Sequence, residues 1–163
     1  MVILDSGKRM EFESGAVRDV QKGKGRCDLL PLEVLADYYY NCDDESFAEI
    51  FMDISRLMRS RDANAGIDAV KKFCLLAWGG EVETMFIDIS KHFEEGAEKY
   101  GDNNWRKGIP CNRYMDSAIR HLLKWHRNDI DENHDRAFVW NIMCCLWTYQ
   151  MYGWDLENLG EED

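Results

Sequence analysis

The chain has 163 residues, 45% of them hydrophobic and 12% aromatic, and its 31 acids against 20 Lys plus Arg leave a net charge of −11. Disordered chains lack such an aromatic content, disulfide mini-proteins are shorter and denser in Cys, and duplex-DNA binders need clustered cations, so all three classes are excluded. Apolar runs such as 73–78 are too short to cross a bilayer, and Met1-Val-Ile-Leu meets Asp5 before a signal core can form. A cytoplasmic protein is expected, with no membrane and no nucleic-acid polymer as partner. Its expected organisation is one domain over residues 1–154, followed by an acidic tail over 155–163 that frays.

Residues 1–28 are rich in Gly and charge and read as an irregular basic arm, with Arg18, Lys22, Lys24 and Arg26 close together. A local basic patch on an acidic protein suits a small polyanion better than a polymer. Residues 29–40 predict a short helix. Over 46–60, Phe47, Ile50, Phe51, Ile54, Leu57 and Met58 recur at the helical period, and 67–78 predicts another helix ended by Gly79-Gly80. Residues 41–84 together look like a helical insertion. Phe86, Ile89, Phe93, Ala97 and Tyr100 form one apolar stripe closed by Gly101. After the loop 102–110, a helix over 112–127 turns Met115, Ala118, Ile119, Leu122 and His126 inward. Residues 137–147 are apolar almost all round, so this last helix must be central or covered by another subunit. The alternative cover is a fold-back of 46–78. No strand-like alternation stands out, and the fold class is all-α. The six cysteines include no CxxC pair and read as reduced thiols.

Three constellations carry chemistry. Glu95-x-x-Glu98, with Glu94 beside it, brings carboxylates together within one helical turn, where a hard cation relieves their repulsion. A solvated face with Lys91 and Lys99 as partners is the competing account. Glu132-x-x-Asp135 repeats the spacing, yet acids in a first helical turn also complement the helix dipole, and Asp129 with Glu132 has capping-box spacing. Asp116 and Arg120 stand at salt-bridge spacing beside His121, and His134-Asp135 has the letters of an HD metal phosphohydrolase without its further histidines.

Longer blocks carry a resemblance. Ser14-Gly-Ala-Val-Arg-Asp-Val-Gln-Lys-Gly-Lys-Gly-Arg-Cys-Asp-Leu-Leu-Pro31, His92-Phe-Glu-Glu-Gly-Ala-Glu-Lys-Tyr-Gly-Asp-Asn-Asn-Trp105, Asp116-Ser-Ala-Ile-Arg-His121 and His134-Asp-Arg-Ala-Phe-Val-Trp-Asn141 follow one another in order. Together they resemble the phage and prophage dATP/dGTP diphosphohydrolases, which are similar to the MazG-like all-α nucleotide pyrophosphohydrolases.

That resemblance implies a helical bundle completed by oligomerisation, as a homodimer or homotetramer, in a phage- or prophage-encoded protein. The implied activity is Mg²⁺-dependent hydrolysis of purine deoxynucleoside triphosphates to the monophosphate and pyrophosphate, with Mn²⁺ as an alternative ion. Glu95 and Glu98 would be catalytic, and Glu94, Glu95, Glu98, Asp116, Glu132 and Asp135 compete as metal ligands. Glu132 begins 34 residues after Glu98, a longer gap than the usual ExxE…ExxD pattern. Lys22, Lys24, Arg26 and Arg120 are candidates for the phosphates, and Tyr100, Asn104, Trp105, His121 and Asn141 for the rest of the substrate. A nucleotide-binding protein without turnover is the alternative from another class.

Overall fold

The computed structural model describes residues 7–160. Their contacts divide into two compact units, one formed by the residues up to Asp28 and from Asp88 onward, the other by Leu29–Ile87. The second unit thus begins and ends outside the expected insertion at 41–84.

The second unit is a succession of helix contacts, α1 (Leu32–Asn41) on α2 (Glu45–Ser60) and α2 on α3 (Ala63–Trp78). Local chemistry sets the boundaries. Asp44 accepts a hydrogen bond from the Phe47 amide, and Asp62 accepts from Asn64 at 3.0 Å and Ala65 at 3.3 Å, so both helices start on a side-chain cap. Gly79 ends α3 in the left-handed region at φ 60°, where a side chain would be strained. Tyr39, Phe47 and Phe51 pack as an aromatic cluster, with Ile50, Ile54 and Leu57 fully buried on the same helix. Inside this unit Asp53 is only 2% exposed and takes both Arg56 and Lys72, the latter at 2.7 Å.

The first unit pairs α5 (Cys111–His126) with α6 (His134–Tyr152) over their buried faces, among them Tyr114, Met115 and Ile119 against a helix burying Phe138, Ile142 and Cys145. Helix α4 (Val82–Tyr100) begins in the second unit and contributes its residues from Asp88 on to the first. Its backbone keeps farther from α5 and α6, and large side chains bridge the gap. Phe93 and His92 stand 5.8 and 5.5 Å from the Trp140 ring, and Trp105 stands 5.0 Å from Trp147. The second apolar face of α6, which motivated the expected oligomer, is therefore covered within its own unit by α4, the loop after it and the arm.

The arm corrects the expectation of an irregular segment without strands. Arg9–Glu11 (β1) pairs antiparallel with Val17–Asp19 (β2), Met10 opposite Arg18, around a turn in which the Phe12 amide donates to Ala16 and Gly15 lies at φ 81°. Strands of three residues are too short to display an alternation. Four smaller expectations also shift. Phe86 is half exposed rather than inward, and His126 is only half-buried. Helix α6 starts at His134 behind Asn133, so Asp129 and Glu132 form no capping box, and Asp129 pairs with Arg127 instead. The described part of the tail folds back rather than fraying: the Asn158 amide donates to Tyr152, and Leu156 and Leu159 pack over Gly108. Residues 161–163 of that tail lie outside the described residues. All six cysteines are free, and no helix among the described residues is long and apolar enough to cross a membrane.

Replacing Asp53 with Ala removes two charge-assisted hydrogen bonds from an almost fully enclosed carboxylate. Urea unfolding of D53A is expected to show a loss of about 1.5–3 kcal/mol.

Candidate functional site

The site is assembled where the arm meets α5. Asp116, 2% exposed, accepts from Gln21 Nε2 at 2.7 Å, from the Cys27 amide at 2.6 Å and from Arg120 Nη2. Arg120 continues to the carbonyl oxygens of Lys24 and Gly25 at 3.2 and 3.1 Å. At the other end of the arm, Asn104 accepts from the Val17 amide and donates to the Val17 carbonyl, both at 2.8 Å. The Ser14 hydroxyl donates to the Gly108 carbonyl. The arm is thus stitched to the helical body at several points.

Arg18, carried by β2, stacks over the Tyr114 and Trp140 rings at 5.2 and 5.9 Å and donates from Nη2 to Asn141 Oδ1 at 2.7 Å. Burial holds its pKa below the usual guanidinium value, yet an arginine remains charged at neutral pH. Its Nη1 is out of solvent contact and has no hydrogen-bond partner among the described residues, as is true of Gln21 Oε1, His92 Nδ1 and Trp140 Nε1. Four buried polar atoms without partners are an unusual concentration, and each is a place for a ligand to bond.

All four belong to side chains lining one cavity of about 910 Å³. Phe93, Tyr100, Trp105 and Trp140 give it aromatic walls, and its charged lining is mixed, with Arg18, Lys24, Arg113 and Arg120 alongside acids such as Asp19, Glu94 and Glu132. A space of this size, with aromatic walls and many polar groups, is large enough for a nucleotide-sized ligand. Burial, followed by the charges of Arg136 and Arg18, pushes His92 down to about 4, so it is neutral at pH 7. His121 is pushed well down by burial and then by His134, and burial also lowers Lys24.

The residues expected at the site divide clearly. Lys24, Glu94, Tyr100, Asn104, Trp105, Asp116, Arg120, His121, Glu132 and Asn141 all line the cavity. Lys22 and Arg26 instead line a smaller hollow of about 400 Å³ beside it, and Arg26 pairs with Asp28. Glu95, Glu98 and Asp135 do not line the cavity. Glu95 accepts from Arg136 Nη2 at 3.2 Å, and Asp135 accepts from the Arg136 amide at the start of α6. Asn104 and Asp116 spend their polar atoms on the arm. Among the described residues, two sets of three potential metal-ligand atoms lie within 4.8 Å of one another: His121, Glu132 and His134, and Asp129, Asp131 and His134. The ExxE carboxylates are in neither.

Arg18, Gln21, His92 and Trp140 were not among the expected site residues. Arg18 and Gln21 lie in the first resembling block, and His92 opens the second, so position in those blocks was the available signal.

Exchanging Asp116 for Asn keeps its shape but removes the charge that attracts Gln21 and Arg120. Trypsin is expected to cut at Lys22, Lys24 and Arg26 several-fold faster in D116N, with the helical circular dichroism retained.

No curated protein and no solved structure matches the chain. A family model described as dATP/dGTP diphosphohydrolase, N-terminal, matches residues 68–156. The match runs from within α3 through α4, α5 and α6, leaves the arm outside it, and spans more than half of the sequence. The chain belongs to the dATP/dGTP diphosphohydrolase family.

Proposed function

We propose that the protein hydrolyses purine deoxynucleoside triphosphates, dGTP or dATP, to the monophosphate and pyrophosphate with Mg²⁺, or Mn²⁺ in its place. Membership of the family supports nucleotide diphosphohydrolysis in general. The observation that carries the finer reading is the desolvated Arg18 guanidinium, with one nitrogen unpartnered, in an aromatic-walled cavity ringed by Lys24, Arg113 and Arg120. Guanidinium groups pair with phosphate in a planar, bidentate fashion, and aromatic faces receive a purine ring.

The carboxylates of α4 fit a hard cation in their chemistry. Glu94 and Glu98, one turn apart, are exposed and have no ion-pair partner among the described residues, and Glu94 lines the cavity. Mg²⁺ is held by one or two carboxylates, with water and phosphate oxygens completing its octahedron, so a full protein cage is not required. Glu94, Glu95 and Glu98 would hold it, and the chemistry supplied is neutralisation of phosphate charge and activation of water. The chain's own residues do the rest. Arg18, Lys24 and Arg120 would bind the triphosphate, Phe93 and Trp105 would exclude water from the base, and a carboxylate of α4, of which Glu94 stands on the cavity wall, would take the proton of the attacking water.

One observation favours a second reading, nucleotide binding without turnover: Glu95 is engaged by Arg136, and Asp116 is engaged by the arm and by Arg120. Product analysis with purified protein, Mg²⁺ and each dNTP separates the two. Pyrophosphate release is expected; tight binding without product selects the second reading. E95Q and E98Q are expected to lower turnover by orders of magnitude, whereas E157Q leaves it unchanged. R18K, which keeps the charge and loses the fork, is expected to raise KM by about tenfold or more. A homodimer or homotetramer belongs to the same proposal, supported by the exposed Leu75, Val82 and Phe86 of the second unit, and light scattering that finds a monomer at micromolar concentration would overturn it.

A further inference from the structure

Between α5 and α6, two imidazoles face each other. His121 Nδ1 and His134 Nδ1 are 2.9 Å apart, and Glu132 Oε2 lies 3.8 Å from His121 Nδ1. Asp131 Oδ1 stands 2.7 Å from His134 Nε2. A carboxylate only accepts, so Nε2 of His134 carries hydrogen, and in the neutral ring the lone pair is on Nδ1, directed at His121. A carboxylate bonded to the far nitrogen of a buried histidine is the arrangement that orients imidazole ligands toward a metal.

We propose that His121, His134 and Glu132 bind one divalent transition ion of the Co²⁺, Ni²⁺ or Mn²⁺ type, with Asp131 as the residue that orients His134. The spacing favours octahedral over tetrahedral geometry. For metal–nitrogen bonds of about 2.1 Å, ligands at a right angle stand about 3.0 Å apart, and ligands at a tetrahedral angle about 3.4 Å. Two imidazoles with one carboxylate suit borderline ions better than Mg²⁺, whose preferred ligands are oxygens. The overlapping set around Asp129 and Asp131 is the weaker candidate, because Arg127 and Lys124 already balance those carboxylates. His121 and Glu132 line the nucleotide-sized cavity, so this ion would stand on its wall, apart from the acids of α4. The site does not depend on the hydrolase reading.

The test is calorimetric titration of the chelator-treated full chain with Co²⁺ in excess Mg²⁺, read in parallel by the visible absorption of Co²⁺. One ion per chain is expected, with the weak bands of a six-coordinate N/O site. H121Q and H134Q should each weaken binding at least about tenfold, and D131N about 10–100-fold. E95Q and E98Q should leave Co²⁺ affinity unchanged while abolishing Mg²⁺-dependent turnover, which keeps failure of this site distinct from failure of the hydrolase reading. Should the buried His134 be needed for folding, as judged by circular dichroism, H121Q and D131N decide the matter. No Co²⁺ uptake, uptake unaltered by H121Q, or intense thiolate charge-transfer bands would each overturn the proposal. Without the ion, the two rings share a single proton in an ordinary hydrogen bond.

Discussion

The first unit depends on one buried carboxylate. Asp116 sits on α5 with almost no exposure and receives a side-chain amide, a backbone amide and a guanidinium. A charge taken out of water to this degree is tolerated only when its lone pairs are filled. Here two of the three donors come from the arm, so satisfying Asp116 and folding the arm onto α5 are the same event. Arg120 makes the coupling tighter, since it balances the charge while bonding two carbonyls of the glycine-rich turn. That turn carries Lys24, which lines the cavity. A basic segment with Gly23 and Gly25 at positive φ has little tendency to order by itself, and the buried acid supplies what local propensity does not.

The cavity follows from unequal packing in the same unit. Helices α5 and α6 make the closest backbone approach, whereas α4 meets α6 through large side chains, His92 and Phe93 at the Trp140 ring and Glu95 at Arg136. Large aromatic groups at the edges keep a space open that aliphatic packing would close. Burying an arginine there is costly unless its hydrogens are used. Asn141 uses one nitrogen, the Tyr114 and Trp140 faces compensate part of the charge, and the other nitrogen is left for what enters. The cavity thereby holds one buried guanidinium nitrogen without a partner among the described residues, in a chain whose overall charge is negative.

The helices of the second unit were readable because their signals are local. Gly79 marks an end and the apolar residues of α2 keep a clean period, whereas α3 starts at Ala63 rather than 67, because the Asp62 cap extends it past its apolar run. The hairpin was not, because each strand is three residues long and its support comes from Asn104, 87 residues away from Val17. The first turn of α6 was legible in the acids at 132 and 135, although the helix starts at His134 and leaves Glu132 just outside it. That first turn is tied locally by Asp131 to His134 and from α4 by Glu95 to Arg136. The resembling blocks drew attention to many residues that line the cavity, but not to what they touch. Asn104 and Asp116 read as substrate or metal contacts, and their atoms are occupied by the arm. In the sequence Arg18 is one cation of a basic patch, because the features that single it out, two aromatic faces and an amide, come from α5 and α6. Residue type was legible; partners more than 80 positions distant were not.

Asn104 also has a consequence for the two-stranded sheet. A lone hairpin has two open rows of backbone donors and acceptors, and an open row is a template on which another chain can add a strand. By accepting from the Val17 amide and donating to its carbonyl, the Asn104 amide occupies the ladder position a third strand would need. One side chain therefore ends the sheet on that side, protecting a short and otherwise recruitable edge from intermolecular pairing.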